Sequence, residues 1–189
     1  MNPLNKFYFI HINKTGGTSI KNAIGIDHHI KPKHQTYRDL EKKTDLTLWQ
    51  NSFKFTFVRN PWDKVVSHYH YRLKRNIDNI KSNEISFSDW VNQTYGGQNH
   101  SNIKITKMFF PQTEWLINQN GKIELDFIGR FENIQEDFKT LAQKLQIDAE
   151  LPHLNPTDRG PYRSYYDSTT KHIIRRWFES DIDYFKYTF

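Results

Sequence analysis

The sequence predicts an α/β fold with a central, mainly parallel sheet flanked by helices. Three apolar runs rich in β-forming residues, Phe7 to Ile12, Phe53 to Val58 and Leu125 to Phe131, each precede a segment with helical spacing. Turn-forming residues separate strand from helix each time, and strands that alternate with helices are built into parallel sheets by helical crossovers.

Taken in order, Phe7 to Ile12 leads into Asn13-Lys14-Thr15-Gly16-Gly17-Thr18-Ser19 and the helix-compatible SIKNAIGI, giving strand, Gly-rich loop, helix. The polar stretch Asp27 to Gln50 reads as loop with one short helix around Tyr37 to Lys43. In FKFTFV the side chains of Phe53, Phe55 and Phe57 share one face, and Arg59 follows at the strand's carboxyl end. Asn60 before Pro61 is an N-cap followed by proline at the first helical position, so a helix runs through WDKVVSHYHYRLK. Asn76 to Ser88 reads as loop, with a short helix at Phe87 to Val91 capped by Ser88. Met108 to Ile117 has helical spacing, and Asn118 to Lys122 is a turn. After the third strand, Asn133 is expected to cap an amphipathic helix whose Ile134, Phe138, Leu141 and Leu145 recur at three and four. A proline-containing linker, LPHLNPTDRGPYRSYY, then precedes a last helix at Ser168 to Glu179. No internal repeat interrupts this order.

A length of 189 residues predicts a single domain spanning 1–189. With only four Val and three Ala against 14 Phe, 10 Tyr and 5 Trp, its core is expected to be built from large rings and Ile. Zero cysteine excludes disulfide scaffolds, thiolate nucleophiles and zinc sites with sulfur ligands. No apolar run approaches membrane-spanning length, and FYFIHI is too short for a signal segment, so a soluble intracellular protein is expected. Lys and Arg number 27 against 21 Asp and Glu, a formal net charge of +6. That excess suits an anionic partner, whether nucleic acid, a phosphorylated cofactor or an acidic polymer, and equally a merely lysine-rich surface.

Two segments sharpen the choice. A loop of small residues leading into a helix aims backbone N–H groups at an anion. In NKTGGTS, Gly16 and Gly17 permit close approach or positive φ, Lys14 adds a full charge, and Thr15, Thr18 and Ser19 add hydroxyls. The order differs from the Walker pattern, because the lysine precedes the glycines. A plain Gly-Gly turn beside a solvated lysine is the alternative. In FTFVRNPWDKVVSHYHY, Arg59 ends a strand and Ser67 lies two helical turns on. A guanidinium fork and a hydroxyl there suit a phosphate, while a helix-start ion pair of Arg59 with Asp63 would be the ordinary explanation.

Together, HINKTGGTSI and FTFVRNPWDKVVSHYHY closely resemble the two cofactor-binding motifs of the sulfotransferase superfamily that uses 3′-phosphoadenosine 5′-phosphosulfate (PAPS), in the carbohydrate-sulfotransferase-like branch. The resemblance extends to IGRFENIQEDF, LNPTDRGPYRSYY and DIDYFKYTF, and so touches nearly the whole chain. It implies a P-loop-NTPase-like three-layer fold. It also implies that Lys14, Thr15, Gly16, Gly17, Thr18 and Ser19 grip the 5′-phosphosulfate, with Lys14 nearest the bridging oxygen. Arg59 and Ser67 would hold the 3′-phosphate, and Arg159 and Tyr162 would make secondary contacts to the nucleotide. The product would be 3′,5′-ADP (PAP), and no metal is required. Two positions depart from the pattern: Asn13 stands where proline is usual, and Lys186 where glycine is common. Golgi-type relatives carry an N-terminal membrane anchor, whereas here the first strand begins almost at once, so a cytoplasmic enzyme without a membrane anchor is expected.

Sulfuryl transfer, like phosphoryl transfer, needs an in-line acceptor hydroxyl and a stabilised leaving group. Lys14 would neutralise charge on the departing phosphate. For the base, His34 in KPKHQTYRDL stands where relatives with a histidine base carry it, among cations that favour its neutral form. His28 or His29 are the next candidates, His11 reads as structural, one of His68 and His70 is expected to pack or cap, and Glu132 reads as a structural partner. The acceptor is expected to be a hydroxyl, by family a carbohydrate's, with Lys31, Lys33 and Arg38 as candidates for attracting an acidic one. A small-molecule or protein tyrosine hydroxyl stays open. The competing functions are a nucleotide kinase or NTPase, which lacks the G-K-[ST] order and an evident Walker-B carboxylate, and a basic nucleic-acid-binding module, against which the aromatics fall at core spacings.

Overall fold

A computed structural model describes residues 7–25, 34–97, 106–152 and 159–189. In chain order the regular elements are β1 Phe7–Ile10, α1 Gly17–Ala23, α2 Tyr37–Glu41, α3 Leu46–Gln50, β2 Phe53–Val58, α4 Pro61–Lys74, α5 Phe87–Tyr95, α6 Gln112–Leu116, β3 Phe127–Arg130, α7 Ile134–Leu145, α8 Ser168–Trp177 and α9 Glu179–Phe185. Short 3-10 turns lie at Ile77–Asn79, Lys107–Phe109, Phe131–Asn133 and Tyr162–Tyr165. The chain divides into two compact units, Met1–Arg59 with Gln112–Asn155, and Asn60–Pro111 with Pro156–Phe189.

The first unit holds the sheet. Its strands are all parallel in the order β1-β2-β3, with Phe9 opposite Phe55 and Phe55 opposite Phe127. Alternation sorts the side chains between two faces. Phe9, Phe55 and Phe57 point to one face and form a core with Ile20 of α1 and Phe138, Leu141, Ala142 and Leu145 of α7. Tyr8 and Lys54 point to the other, where Trp49 of α3 packs against Tyr8 at 4.9 Å and meets Tyr37 of α2 edge-on. Helices therefore cover both faces of the sheet, the expected α/β arrangement.

The strands are shorter than the apolar runs that announce them. β1 stops at Ile10 because Ile12 N turns back to donate to Ile10 O, at 3.2 Å. β3 begins only after Asp126, whose carboxylate accepts the Lys54 amide at 2.7 Å. α3 lies in the stretch expected to be loop: Asp45 accepts the Leu48 amide, and Trp49 is buried behind it. The expected helix at Met108 to Ile117 is split, because Phe110, preceding Pro111, is held extended at φ −67°, ψ 151°.

The second unit is helical, with a ring-dominated core of Trp62, Tyr69, Phe87, Trp90, Tyr95, Phe109 and Phe178 around Val65, Val66, Val91 and Ile174. Asn60 caps α4 as expected, accepting the Trp62 amide at 3.1 Å. The cap of α5 is Ser86 rather than Ser88, and the helix continues to Tyr95; Ser86 Oγ accepts the Asp89 amide, while Ser88 is already inside the helix. Asn133 stands at the N-cap position of α7 but makes no cap bond there, and instead donates to Asp137 at 2.9 Å. The closing helix breaks at Phe178, whose burial anchors the junction of α8 and α9.

Candidate active site

The loop between β1 and α1 is fixed by its own backbone chemistry. Thr15 is fully buried, and its hydroxyl donates to Ile12 O at 3.0 Å. That proton is therefore committed to the chain's own backbone. Gly16 adopts φ 80°. A Cβ there would fall 2.5 Å from Ile134 Cδ1 and 3.2 Å from Phe131, so packing as well as conformation requires glycine. The Gly16 carbonyl accepts the Ser19 and Ile20 amides and starts α1.

Lys14 and His34 are two of eight non-glycine residues with positive φ among the described residues. Both lie in the left-handed region, at φ 66° and φ 59°, where a residue with a Cβ costs about 1–2 kcal/mol. Strain of this kind persists only where surroundings hold it, and is frequent at active sites. For Lys14 the holding group is Arg59, whose Nη1 donates to Lys14 O at 2.9 Å. Arg59 is itself 5% exposed, with its guanidinium carbon 3.7 Å from the centre of the Phe131 ring. Its backbone is clamped by Gln112, which accepts from Arg59 N at 2.9 Å and donates to Arg59 O at 2.8 Å. Arg59 thus supports the lysine loop directly, a role its spacing did not suggest.

His34 Nδ1 lies 3.1 Å from the backbone carbonyl oxygen of His11, three residues before Lys14. A carbonyl only accepts, so Nδ1 is the nitrogen that carries a proton in this bond. The ring lies 4.5 Å from that of His11 and meets Trp115 edge-on at 6.3 Å. Within one unit, Arg59 is therefore bonded to Lys14, and His34 to the backbone three residues before it. Arg38 donates from Nε to Asn118 O at 3.0 Å and braces the α2 region. His28, His29, Lys31 and Lys33 lie outside the described residues.

Ser67, Arg159 and Tyr162 belong to the second unit. Asn60, Asp63, Ser67 and His70 recur at three and four along α4, on one face. The segment Arg159 to Tyr166 packs along it. Arg159 pairs with Asp63, the Tyr162 hydroxyl lies 3.5 Å from Asn60 Nδ2, and the Tyr165 hydroxyl is 2.9 Å from His70 Nε2. Ser67 is 9% exposed within this row. Burial, reinforced by Arg159, holds the His70 imidazole below its ordinary pKa. His68 packs against Phe109 and Trp90, the structural role expected of one of this pair.

Sequence reading missed Phe131, Gln112 and Trp115. Phe131 sits inside the recognised GRFEN segment, but nothing in its spacing says that its face will meet a guanidinium. Gln112 had no signal at all. Trp115 was read as part of an apolar helix, which is accurate, yet its edge also borders His34.

No helix among the described residues is long and apolar enough to cross a membrane, and no cluster of potential metal ligands occurs among them. In comparison with known proteins, the chain is similar over 107 residues to an uncharacterised protein of Archaeoglobus fulgidus, with 36% identity covering 55% of this chain and 76% of that protein. A model of the sulfotransferase family matches residues 1–188. That match covers essentially the whole sequence and includes both the lysine loop and the strand ending in Arg59, so the chain belongs to the sulfotransferase family.

Proposed function

We propose that this sulfotransferase uses PAPS and transfers its sulfuryl group to a hydroxyl, with Lys14 and His34 as the catalytic pair. The observation that carries the proposal is the joining of His34 to the lysine loop through the His11 carbonyl, across 23 residues of sequence. The donor set fits a polyanion: an ammonium at Lys14, loop amides from Thr15 to Ser19, and a guanidinium at Arg59. When bound, PAPS supplies an activated sulfuryl group whose S–O bond to phosphate breaks as a new S–O bond to the acceptor forms.

Lys14 offsets charge on the departing phosphate oxygen, and its left-handed backbone, pinned by Arg59, aims the loop before the ligand arrives. His34 accepts the acceptor's hydroxyl proton at Nε2, its other ring nitrogen. The imidazolium so formed keeps its Nδ1–H bond to the carbonyl, so proton uptake requires no reorientation. Ser67, Arg159 and Tyr162 stay assigned to the nucleotide on the resemblance alone. The acceptor is proposed to be a carbohydrate hydroxyl, on the family likeness alone, and the compartment to be cytoplasmic.

Thermal melting with PAP tests the first half. PAP should raise the melting temperature, with the stabilisation growing as the logarithm of one plus the ratio of its free concentration to Kd, and a shift with ATP or single-stranded DNA but not with PAP would defeat the reading. His34→Ala should retain PAP affinity and lose turnover in an acceptor screen with labelled PAPS. Turnover at the native rate would remove His34 from the role of base.

A further inference from the structure

We propose that the His11 side chain is a positioning residue for His34, a proposal that rests on His34 being the base. The His11 ring is buried, stacked on Phe9 at 5.3 Å with an interplanar angle of 11°, and Phe9 is stacked in turn on Phe55 at 4.9 Å and 7°. It is the end of a column of flat rings rooted in β1 and β2. Its edge lies on the lysine loop: a Cβ built on Gly17 would fall 2.1 Å from His11 Cδ2 and Nε2. Glycine at the first residue of α1 therefore makes room for the imidazole. Against the same ring, 4.5 Å away and tilted by 43°, lies His34.

His34 is held by three constraints. The His11 carbonyl fixes its Nδ1, the His11 ring limits the tilt of its plane, and Trp115, fully buried, stands at its edge. The hydrogen bond alone leaves the imidazole free to swing about the N···O axis, and the neighbouring ring removes that freedom. One side chain thus serves as the spacer between the loop glycine and the proton-accepting group. Misplacement by about 1 Å is enough to cost on the order of 100-fold in rate, because the reacting atoms must meet at a set distance and angle.

The test compares His11→Ala, which removes the spacer, with His11→Phe, which keeps a flat ring without nitrogens. His11→Ala should lower kcat about 10- to 100-fold, with the acceptor KM and the Kd for PAP within about twofold of the native values. His11→Phe should restore kcat to within about threefold of native. Nitrogen NMR of labelled histidine supplies a readout independent of turnover: His34 should show a protonated Nδ1 in the native protein and in His11→Phe, and exchange between tautomers in His11→Ala. If His11→Ala does not fold, His11→Leu, which keeps bulk without a flat ring, takes its place and should show the same loss of kcat and the same exchange between tautomers. A native kcat in His11→Ala, a failure of His11→Phe to rescue, or a His34 without protonated Nδ1 in the native protein overturns the proposal. An active His34→Ala variant overturns the base assignment instead, and absence of PAP binding overturns the cofactor assignment, so the three failures are distinguishable.

Discussion

Arg59 is the residue at which an anion-binding role and a structural one diverge most in magnitude. Arg59→Ala removes a guanidinium that donates to Lys14 O at 2.9 Å and covers the Phe131 ring at 3.7 Å, while the backbone bonds to Gln112 survive the substitution. A hydrogen bond from a charged donor contributes about 1.5–3 kcal/mol. A desolvated guanidinium over a ring adds about 1–2 kcal/mol. Relief of the guanidinium's desolvation offsets part of that sum, leaving an expected destabilisation of about 2–4 kcal/mol. At roughly 2–4 °C per kcal/mol for a chain of this size, the melting temperature should fall by about 4–16 °C without any ligand present. Lys14→Ala is the control. Its backbone strain is that of any residue with a Cβ, and the carbonyl that Arg59 meets survives the substitution, so its melting temperature should fall less than that of Arg59→Ala. Both variants should bind PAP weakly. Arg59→Lys keeps the charge but neither the fork nor the flat stack, and should fall between. Differential scanning calorimetry of the unliganded proteins decides the point. An Arg59→Ala protein that melts with the native one would show that the contacts to Lys14 and Phe131 contribute nothing net, and the argument for a braced loop would fail.

Three further outcomes follow from local geometry. Lys186 ends α9 at φ 57°, the conformation glycine adopts without cost, so Lys186→Gly should stabilise the protein by about 1 kcal/mol in chemical denaturation. Asp167 caps α8 by accepting the Thr170 amide at 2.7 Å, and this bond, with that from the Thr170 side chain, holds its carboxyl below the ordinary range. Its contribution is therefore complete above the ordinary carboxylate pKa and is lost as pH falls through the lower, folded-state value; Asp167→Ala should cost about 1 kcal/mol at pH 7, and Asp167→Asn less. For His70, burial and Arg159 lower the folded-state pKa, so the unfolded chain takes up a proton first as pH falls below about 6.5. Native stability should decline through that window, and His70→Gln should flatten the decline in melts between pH 7.5 and 5.5.

Local rules carried the sheet, the caps and the loop. Phe53, Phe55 and Phe57 alternate strictly and share the face they were expected to share; Asn60-Pro61 begins α4 as a cap and first-turn proline must. Where local rules misplaced a boundary, a competing contact had won. Ser86 rather than Ser88 caps α5 because Asp89, three residues after Ser86, supplies the amide that its hydroxyl meets. Asn133 lost its capping role when Asp137 accepted both its amide and the Arg130 N–H. Lys186, which departs from the pattern that the sequence resembles, occupies a left-handed position that glycine adopts without cost.

The sequence by itself determined the α/β class and the family, because strand alternation, helical period and the polar groups of NKTGGTS and VRNP are properties of neighbours along the chain. Only the tertiary structure decided what those groups touch. That Arg59 braces Lys14 over Phe131 and that His34 is held by His11 beside Trp115 are relations between segments far apart in the sequence, 45 residues for Lys14 and Arg59 and 23 for His11 and His34. Such pairings follow from how whole faces are buried together, and no local spacing encodes them.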